Sequence, residues 1–386
     1  MVRVAVLSIA GALLVLRAGV QRTSWLGPWL ADAGRAMVGA HAVAKVEDAV
    51  YGVEEQWNRW RHSADPPQAM WETGPSVQSV EGPPNAPRAA ENDIAFVPRQ
   101  VAPMHERFSS TGDGTWTSMP DKRHPDEPAR MFKTFLHPDD ARAWAVVAVA
   151  AIDLSTVDLH LEPGLYVPEA TEPEARSMSR PGLIPMDHQS TVLAAFNGGF
   201  KAVHGRLGMR VHGMTLLRAQ PWGCTVAKGG DGRIAIDTWS ELEWEPASLA
   251  WWRQTPQCLV RKGRFGDGVL VDENANWGSS VSGSTFIRRS GVGIDASRRV
   301  LYVGIGEAVT AGGMARALAH AGADTVAQLD VNGSLPKFLI FEPEPGGAHS
   351  LTARPLYAGL IHSRGEYLRD PSSRDFFYIT AKRPNP

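Results

Sequence analysis

The sequence predicts an α+β fold of mixed, largely antiparallel sheets with few helices, preceded by an N-terminal anchor helix and a Pro-rich linker. Short apolar segments of strand length recur through the second half of the chain, and turn-forming Gly and Asp residues separate many of them. Hydrophobic residues make up 43% of the chain and charged residues 21%, as is usual for a folded soluble domain.

The first segment of the chain has the pattern of an export signal. Apolar residues dominate from Val4 to Leu16, between two arginines. This length fits the core of a signal peptide better than a membrane span of about 20 residues, yet no clear cleavage site follows. We predict that residues 1–28 are a signal or membrane anchor, that residues 4–20 tether the chain, and that the protein is exported to the periplasmic or extracellular side. A buried helix of a cytoplasmic protein is the alternative.

The next two segments differ in composition. In residues 29–64, apolar side chains recur near helical spacing with acidic residues between them, which predicts a helix that packs on protein rather than on lipid. Residues 65–120 contain repeated prolines, including Pro66-Pro67 and Pro83-Pro84, and few aliphatic side chains. This composition predicts a linker. The globular domain is therefore expected at residues 121–386.

Strands joined by short turns follow in the domain. Glycines and aspartates between apolar runs are strong turn signals, and they indicate hairpins. The predicted pairs are Ala143–Leu154 with Val157–Leu161, Gly223–Ala227 with Arg233–Thr238, and Ser290–Ile294 with Val300–Ile305.

One helix is expected near the carboxyl end of the domain. Thr310 is suited to cap its start, and Gly322 can close it in the left-handed conformation. The next apolar stretch, Thr325–Leu329, leads into Asp330, which places this carboxylate at the end of a strand. Polar residues converge at such strand ends in many α/β folds.

Composition also limits the function. The formal net charge is −2 and no dense Lys/Arg run occurs, so a nucleic-acid partner is not expected. The two cysteines, Cys224 and Cys258, are too few for a cysteine-based zinc site and form either one disulfide or two buried free thiols. The 12 histidines lack ligand spacing, so neither a metal nor another cofactor is predicted. Nothing in the sequence indicates the oligomeric state.

Two glycine-bearing strand ends are the main candidates for a functional site. Asn197-Gly198-Gly199-Phe200 follows a compact apolar run, and Asp330-Val331-Asn332-Gly333 follows another. Each is also compatible with a simple turn, because Asn and Gly accept positive φ at low cost. Ser334-Leu335-Pro336-Lys337 matches an S-x-x-K spacing, but its proline and the apolar run after it predict a strand rather than the helix start which that chemistry needs. We predict that the two strand ends form one polar site.

The order of these segments resembles the phosphodiester glycosidase family (N-acetylglucosamine-1-phosphodiester alpha-N-acetylglucosaminidase-like), in a divergent bacterial subgroup. The resemblance spans residues 131–380 and rests on Phe196-Asn197-Gly198-Gly199-Phe200, Gly208, Arg289-Ser290-Gly291-Val292-Gly293-Ile294 and Leu329-Asp330-Val331-Asn332-Gly333. In the family an Asp-Gly-Gly-x-Ser element follows the helix, whereas Val331 and Asn332 stand here in place of its two glycines.

The resemblance implies hydrolysis of a sugar-1-phosphodiester, and the residues allow roles to be assigned. Asp330 would stabilise an oxocarbenium-like centre or activate water, and Glu307 would be a second carboxylate. Arg289, or Arg288 if the strand register differs, would bind phosphate oxygens. A structural ion pair between Arg289 and Asp330 is the alternative.

Substrate-binding roles follow from the same resemblance. Asn197 and Asn332, the latter followed by Gly333, would orient sugar hydroxyls or the diester, and the amides of Gly198 and Gly199 would bind an oxyanion. The sequence thus predicts an exported hydrolase acting on a sugar-phosphate or glycan substrate. The alternative is a non-catalytic envelope protein that binds glycans or acts as a scaffold on the same fold.

Overall fold

A computed structural model describes residues 55–62, 66–72, 96–270, 286–344 and 350–382. Helix α1 spans Ala311–Ala321, and residues 55–61 are also helical. The strands of these ranges, in chain order, are β1 Thr117–Ser118, β2 Met131–Leu136, β3 Val146–Asp153, β4 Val157–Glu162, β5 Val192–Asn197, β6 Met209–Val211, β7 Met214–Leu217, β8 Cys224–Gly229, β9 Ile234–Thr238, β10 Leu249–Thr255, β11 Val260–Arg261, β12 Arg264–Phe265, β13 Ile287–Ile294, β14 Val300–Val309, β15 Thr325–Val331, β16 Phe338–Pro343, β17 Leu351–Pro355 and β18 Phe376–Ala381.

The strands form three sheets. The largest has the order β1-β2-β3-β14-β13-β15-β11-β12, and the two smaller sheets have the orders β7-β6-β10-β8-β9 and β17-β16-β5-β18-β4. Neighbouring strands in the described sheets pair antiparallel. The predicted α+β fold, with largely antiparallel sheets and few helices, is therefore confirmed.

Helix α1 begins and ends where the sequence predicts. The Thr310 hydroxyl accepts a hydrogen bond of 3.0 Å from the amide of Gly313, which caps the start of the helix. Gly322 follows the last turn with a φ of 122°, a value that favours glycine.

The glycines of β13 and β14 make room for α1, which packs on these strands. A Cβ on Gly304 would lie 2.9 Å from the sulfur of Met314, and a Cβ on Gly291 would lie 3.0 Å from Leu318 Cδ1. Helix packing is therefore sufficient to explain the glycines of the segment Arg289–Ile294.

The large sheet is covered on both faces. Helix α1 covers one face, where Val149 and Met314 belong to a single buried cluster. On the other face, Ile152 of the large sheet shares a second cluster with Phe196 and Trp251, which come from the two smaller sheets. Burial on both faces explains why β3 is a nearly continuous apolar run instead of an alternating one.

Two of the three predicted strand pairs are confirmed, and one is wrong. β8 pairs with β9 and β13 with β14, each across the predicted turn. However, β3 pairs with β2 and β14 while β4 pairs with β18, so the turn after Asp153 carries the chain from one sheet to another. A turn signal shows where the chain changes direction, but it does not identify the partner of either strand.

The cysteine pair forms a disulfide. Cys224, at the start of β8, is bonded to Cys258, in the segment between β10 and β11, and their Cα atoms are 4.9 Å apart. Both cysteines are buried. Of the two alternatives for these residues, the structure shows the bridge.

The predicted linker, residues 65–120, differs from the structure in its last part. Trp116 is fully buried in the cluster under α1, and Phe96, Val101 and Met104 pack against that cluster. β1, which also lies in this part, pairs with β2. The domain thus begins before residue 121, because the few aromatic and aliphatic residues among the prolines are enough to attach this segment to the core.

The predicted anchor, residues 1–28, lies outside the described residues. The same holds for residues 29–54 of the predicted helical segment, whereas residues 55–61 of that segment are helical. Across the described ranges, no helix combines the length and apolar character needed to cross a bilayer.

Candidate functional site

A cavity of about 270 Å³ lies where the ends of β5 and β15 meet the segment before β18. Asn197, Gly198, Gly199 and Asp330 all line it, so the two glycine-bearing strand ends share one cavity. Antiparallel pairing explains part of this arrangement, because β18 pairs with β5 and aligns Phe376 with Asn197. The loop that precedes β18 is thereby brought to the end of β5.

Asp330 is the most chemically unusual group of the cavity. Its side chain is 7% exposed and forms an ion pair with Arg374, whose side chain is 15% exposed. One carboxylate oxygen also accepts a hydrogen bond of 2.9 Å from the amide of Val331. Burial raises the pKa of Asp330, with the negative charge of Asp375 adding to the rise, while Arg374 opposes it. A buried carboxylate with a raised pKa in a cavity is a candidate for proton transfer.

Asp375, the residue after Arg374, makes a second and more deeply buried ion pair. Its partner is Arg253 on β10, at 2.8 Å, and both side chains are 0% exposed. The Arg253 guanidinium also donates to the carbonyls of Phe200 at 2.6 Å and Leu207 at 3.0 Å. A buried charge needs such partners, and Arg253 therefore fixes the position of Asp375 at the wall of the cavity.

The two glycines accommodate this ion pair. The amide of Gly199 donates to the Asp375 carboxylate at 2.9 Å, and the amide of Gly198 donates to the Asp375 carbonyl at 2.9 Å. A Cβ on Gly198 would lie 2.1 Å from the carboxylate, and a Cβ on Gly199 would lie 2.9 Å from the Arg253 guanidinium carbon. The oxyanion that these amides hold in this structure is thus a protein carboxylate, where the sequence suggested a substrate.

Asn197 has a positioning role in this structure. Its amide nitrogen donates to the hydroxyl of Ser290 at 2.8 Å and to the carbonyl of Gly198 at 3.1 Å, while its oxygen accepts from the amide of Lys337 at 3.1 Å. The Ser290 hydroxyl in turn donates to the carbonyl of Asp330 at 2.8 Å. Asn197 therefore joins the ends of β5 and β15 to the start of β16.

A second cation lies in the same cavity. Lys337, whose side chain is 6% exposed, forms an ion pair of 2.5 Å with Glu366, and both residues line the cavity. Tyr367 follows with a φ of 63°, which is costly for an aromatic residue and is often found at functional sites. Its ring stacks on Phe376 at 4.2 Å. Burial, together with the negative charges of Glu366 and Asp375, raises the pKa of Tyr367 well above its usual value.

Arg289 does not line this cavity, contrary to its predicted role as the phosphate ligand. Its side chain is fully buried and donates to the carbonyl of Val309 at 3.0 Å and to the side chain of Gln328 at 3.4 Å. Arg374 occupies the position beside Asp330 that the sequence interpretation gave to Arg289. Consecutive residues of a strand face opposite sides of the sheet, and it is Ser290 that contacts Asn197 and Asp330.

Glu307, Asn332 and Gly333 also lie outside this cavity. Glu307 pairs with Arg288 at 2.7 Å and accepts a hydrogen bond of 2.6 Å from the Tyr357 hydroxyl. The Asn332 side chain accepts from the amide of Ser334 at 2.9 Å and so forms a turn. Arg288 donates to the carbonyl of Gly333 at 2.8 Å, which holds this turn against β13. In this structure the three residues stabilise the chain beside the cavity.

The sequence interpretation missed five charged residues: Arg253, Lys337, Glu366, Arg374 and Asp375. One signal was present for two of them, since Arg374 and Asp375 stand directly before the apolar run of β18, after a Pro-Ser-Ser turn. Lys337 was noticed only as the last residue of the S-x-x-K match. Among the described residues, no group of three or more His, Cys, Asp or Glu side chains is arranged to hold a metal ion.

Scans with protein-family models and a search of curated proteins find no match to the chain. Among solved structures, it is similar to the zebrafish N-acetylglucosamine-1-phosphodiester alpha-N-acetylglucosaminidase catalytic domain, auto-inhibited by its pro-peptide, with a TM-score of 0.40 and 15% identity, over 76% of this chain and 99% of that chain. It is also similar to a hypothetical protein from Synechocystis, with a TM-score of 0.33 and 10% identity, over 67% of this chain and 65% of that chain. Both are distant structural similarities.

Proposed function

We propose that this protein is a hydrolase that cleaves a sugar-1-phosphodiester in the cavity lined by Asp330 and Arg374. The observation that carries the proposal is the buried pair itself: a carboxylate with a raised pKa beside a guanidinium, at the point where the two glycine-bearing strand ends meet. The motif resemblance supplies the reaction class. A cavity of about 270 Å³ is near the lower end for ligand sites, which suits a single sugar phosphate.

Charge complementarity supports a phosphodiester as the substrate. Arg374 and Lys337 both line the cavity, and a guanidinium can bind two phosphate oxygens at once. Each cation is paired with a carboxylate, Arg374 with Asp330 and Lys337 with Glu366. In the proposed complex the phosphate oxygens replace these carboxylates as partners of the cations. Asp330 is thereby released to act on water.

In the proposed reaction, water attacks the anomeric carbon of the sugar while the bond between this carbon and the phosphate oxygen breaks. The bonding electrons leave with the phosphate, and the cations beside it stabilise the negative charge. Asp330 takes a proton from the water, which then passes to the phosphate monoester. A raised pKa makes Asp330 a stronger base than an ordinary carboxylate. The products are a free sugar and a phosphate monoester.

The turnover test uses the full chain and a panel of sugar-1-phosphodiesters that includes nucleotide sugars and alkyl diesters, with release of reducing sugar as the readout. We expect Asp330→Asn to lower kcat by about 10²–10⁴-fold, the usual contribution of a positioned acid or base. Asp324→Asn, at the other end of β15, is the matched control and should retain the wild-type rate. Absence of turnover with every diester, or equal rates for the two variants, would refute the proposal.

A non-catalytic protein that binds glycans or serves as a scaffold is the second candidate. The observation that favours it is that Asp375 already occupies the amide of Gly199, and that both cavity cations are paired with protein carboxylates. Such a protein would bind sugar-1-phosphodiesters without releasing sugar. The same panel distinguishes the two candidates when binding is measured by calorimetry alongside turnover.

Export is part of the proposal. Disulfides persist in oxidising compartments, and the bridge between Cys224 and Cys258 is consistent with such a location. The apolar run from Val4 to Leu16 supports the same expectation. We propose that the domain acts on the periplasmic or extracellular side of a membrane, which fractionation of the producing cells tests. Recovery of the chain in the cytoplasmic fraction would contradict it.

A further inference from the structure

A second cavity, of about 430 Å³, lies on the sheet that contains β10. Trp252 lines it, whereas the next residue, Arg253, holds Asp375 at the first cavity. Consecutive strand residues face opposite sides of a sheet, so β10 separates the two cavities. The second cavity is therefore distinct from the proposed catalytic site.

Trp252 is the unusual group of this cavity. Its side chain is buried, with 3% of the residue exposed, and its indole nitrogen has no hydrogen-bond partner among the described residues. Buried donors are almost always paired, because an unpaired one loses its bond to water without replacement. A ligand that accepts a hydrogen bond in this cavity would supply the missing partner.

The rest of the cavity wall defines the chemistry of such a ligand. Trp239 also lines the cavity, and its ring centroid lies 4.7 Å from that of Trp252, so one side of the wall is aromatic. Arg210, Arg218 and Glu174 add polar groups. Arg210 donates to the carbonyl of Leu249 at 3.1 Å, which holds its guanidinium in place.

The charges around the cavity balance. Arg218 is paired with Glu172 at 3.0 Å, so the two arginines of the wall are matched by two glutamates, Glu172 and Glu174. A phosphate or other anion would gain little from a balanced site. A purely apolar ligand would leave the indole donor of Trp252 without an acceptor. A neutral ligand with an apolar face and many hydroxyl groups satisfies both conditions.

We propose that the second cavity binds a neutral sugar ring of a glycan, with Trp252 donating a hydrogen bond to a hydroxyl or ring oxygen and Glu174 accepting one from another hydroxyl. The apolar face of the ring, formed by its C–H groups, packs on the Trp239 side of the wall. This binding site is independent of the proposed hydrolysis, since none of its residues lines the first cavity.

The test titrates the full chain with chitotetraose, cellotetraose, maltotetraose and mannotetraose in a calorimeter. We expect at least one of these neutral oligosaccharides to bind, and Trp252→Phe to weaken that binding about threefold to tenfold through loss of one hydrogen bond. The matched control is Trp144→Phe, which removes another indole nitrogen without a partner among the described residues, outside this cavity. The control should bind as the wild type does.

Two further variants keep the test decisive if Trp252→Phe folds poorly. Glu174 is exposed, and Glu174→Gln should weaken binding without disturbing the core. Asp330→Asn should bind the oligosaccharide as tightly as the wild type, because Asp330 lies in the other cavity. The proposal is overturned if none of the four oligosaccharides binds, if Glu174→Gln binds like the wild type, or if Asp330→Asn abolishes binding.

Discussion

Arg374 and Asp375 are consecutive residues that make two very different ion pairs. Asp375 pairs with Arg253 at 0% exposure on both sides, and every partner of that guanidinium is a protein oxygen. Arg374 pairs with Asp330 at 15% and 7% exposure, at the wall of a cavity. The first pair is enclosed by protein, and the second adjoins space that a substrate can occupy.

The difference teaches how one strand end serves structure while its neighbour serves chemistry. The glycines after β5 allow the backbone to close around the Asp375 pair, which fixes the residue next to Arg374. Arg374 is thereby positioned beside Asp330 without being enclosed itself. We infer that the Asp375 pair is mainly a support and that the Asp330 pair is the reactive one.

The largest expected effect is the loss of the enclosed pair. Arg253→Met leaves the buried Asp375 carboxylate without its cation, and removal of one partner of a buried pair costs about 3–5 kcal/mol. We expect a decrease of this size in the free energy of unfolding, measured by urea denaturation.

The matched control for that prediction is Arg261→Met. Arg261 pairs with Asp237 at 2.6 Å, but its side chain is 37% exposed and Lys262 remains as a second partner of Asp237. Exposed pairs contribute about 1 kcal/mol or less. Similar losses for Arg253→Met and Arg261→Met would show that Asp375 does not depend on Arg253.

The two strand ends also differ in what their glycines tolerate. A Cβ on Gly198 would lie 2.1 Å from the Asp375 carboxylate and 2.6 Å from its carbonyl oxygen, whereas a Cβ on Gly333 would meet no atom within 4 Å. Gly198→Ala should therefore lower the free energy of unfolding by about 1–3 kcal/mol through overpacking. Gly333→Ala should change it by about 0.5 kcal/mol or less. Thermal and urea unfolding measure both, and equal effects would contradict the distinction between the two ends.

These pairs also show how far the sequence could predict the site. The ends of β5 and β15 were recognisable because glycines and polar residues interrupt apolar runs at each of them. Helix α1 was recognisable from Thr310 and Gly322, which are local capping signals. The location of the candidate cavity therefore depends largely on patterns that a few neighbouring residues contain.

The partners of those strand ends could not be predicted in the same way. Arg253 and Asp375 are 122 residues apart, and only the register of β10 and β18 in two different sheets brings them together. A shift of one residue in register reverses which side chains face the core. The same ambiguity led the interpretation to Arg289, because a pattern of apolar residues does not show which side of β13 faces the cavity.

The smallest expected effect concerns the pH dependence of the second pair. Because burial raises the pKa of Asp330, the folded state favours its protonated form more than the unfolded state does. This contribution to stability is fully present below the ordinary Asp value of 3.8 and is lost as pH rises through the folded-state pKa. Asp330→Asn cannot ionise, so its stability relative to the wild type should increase from about pH 4 to about pH 8. Urea denaturation at several pH values measures this difference.

A second variant separates burial from the other influences on Asp330. Arg374 lowers the pKa of Asp330, so Arg374→Met should raise it further and increase the cost of ionising this carboxylate at neutral pH. In that background Asp330→Asn should therefore give a larger gain in the free energy of unfolding than it gives in the wild type. The double-mutant cycle measures the coupling of the two residues directly. A coupling of zero would mean that Arg374 does not stabilise the Asp330 carboxylate, and the cavity would then lack the ion pair on which the proposed reaction depends.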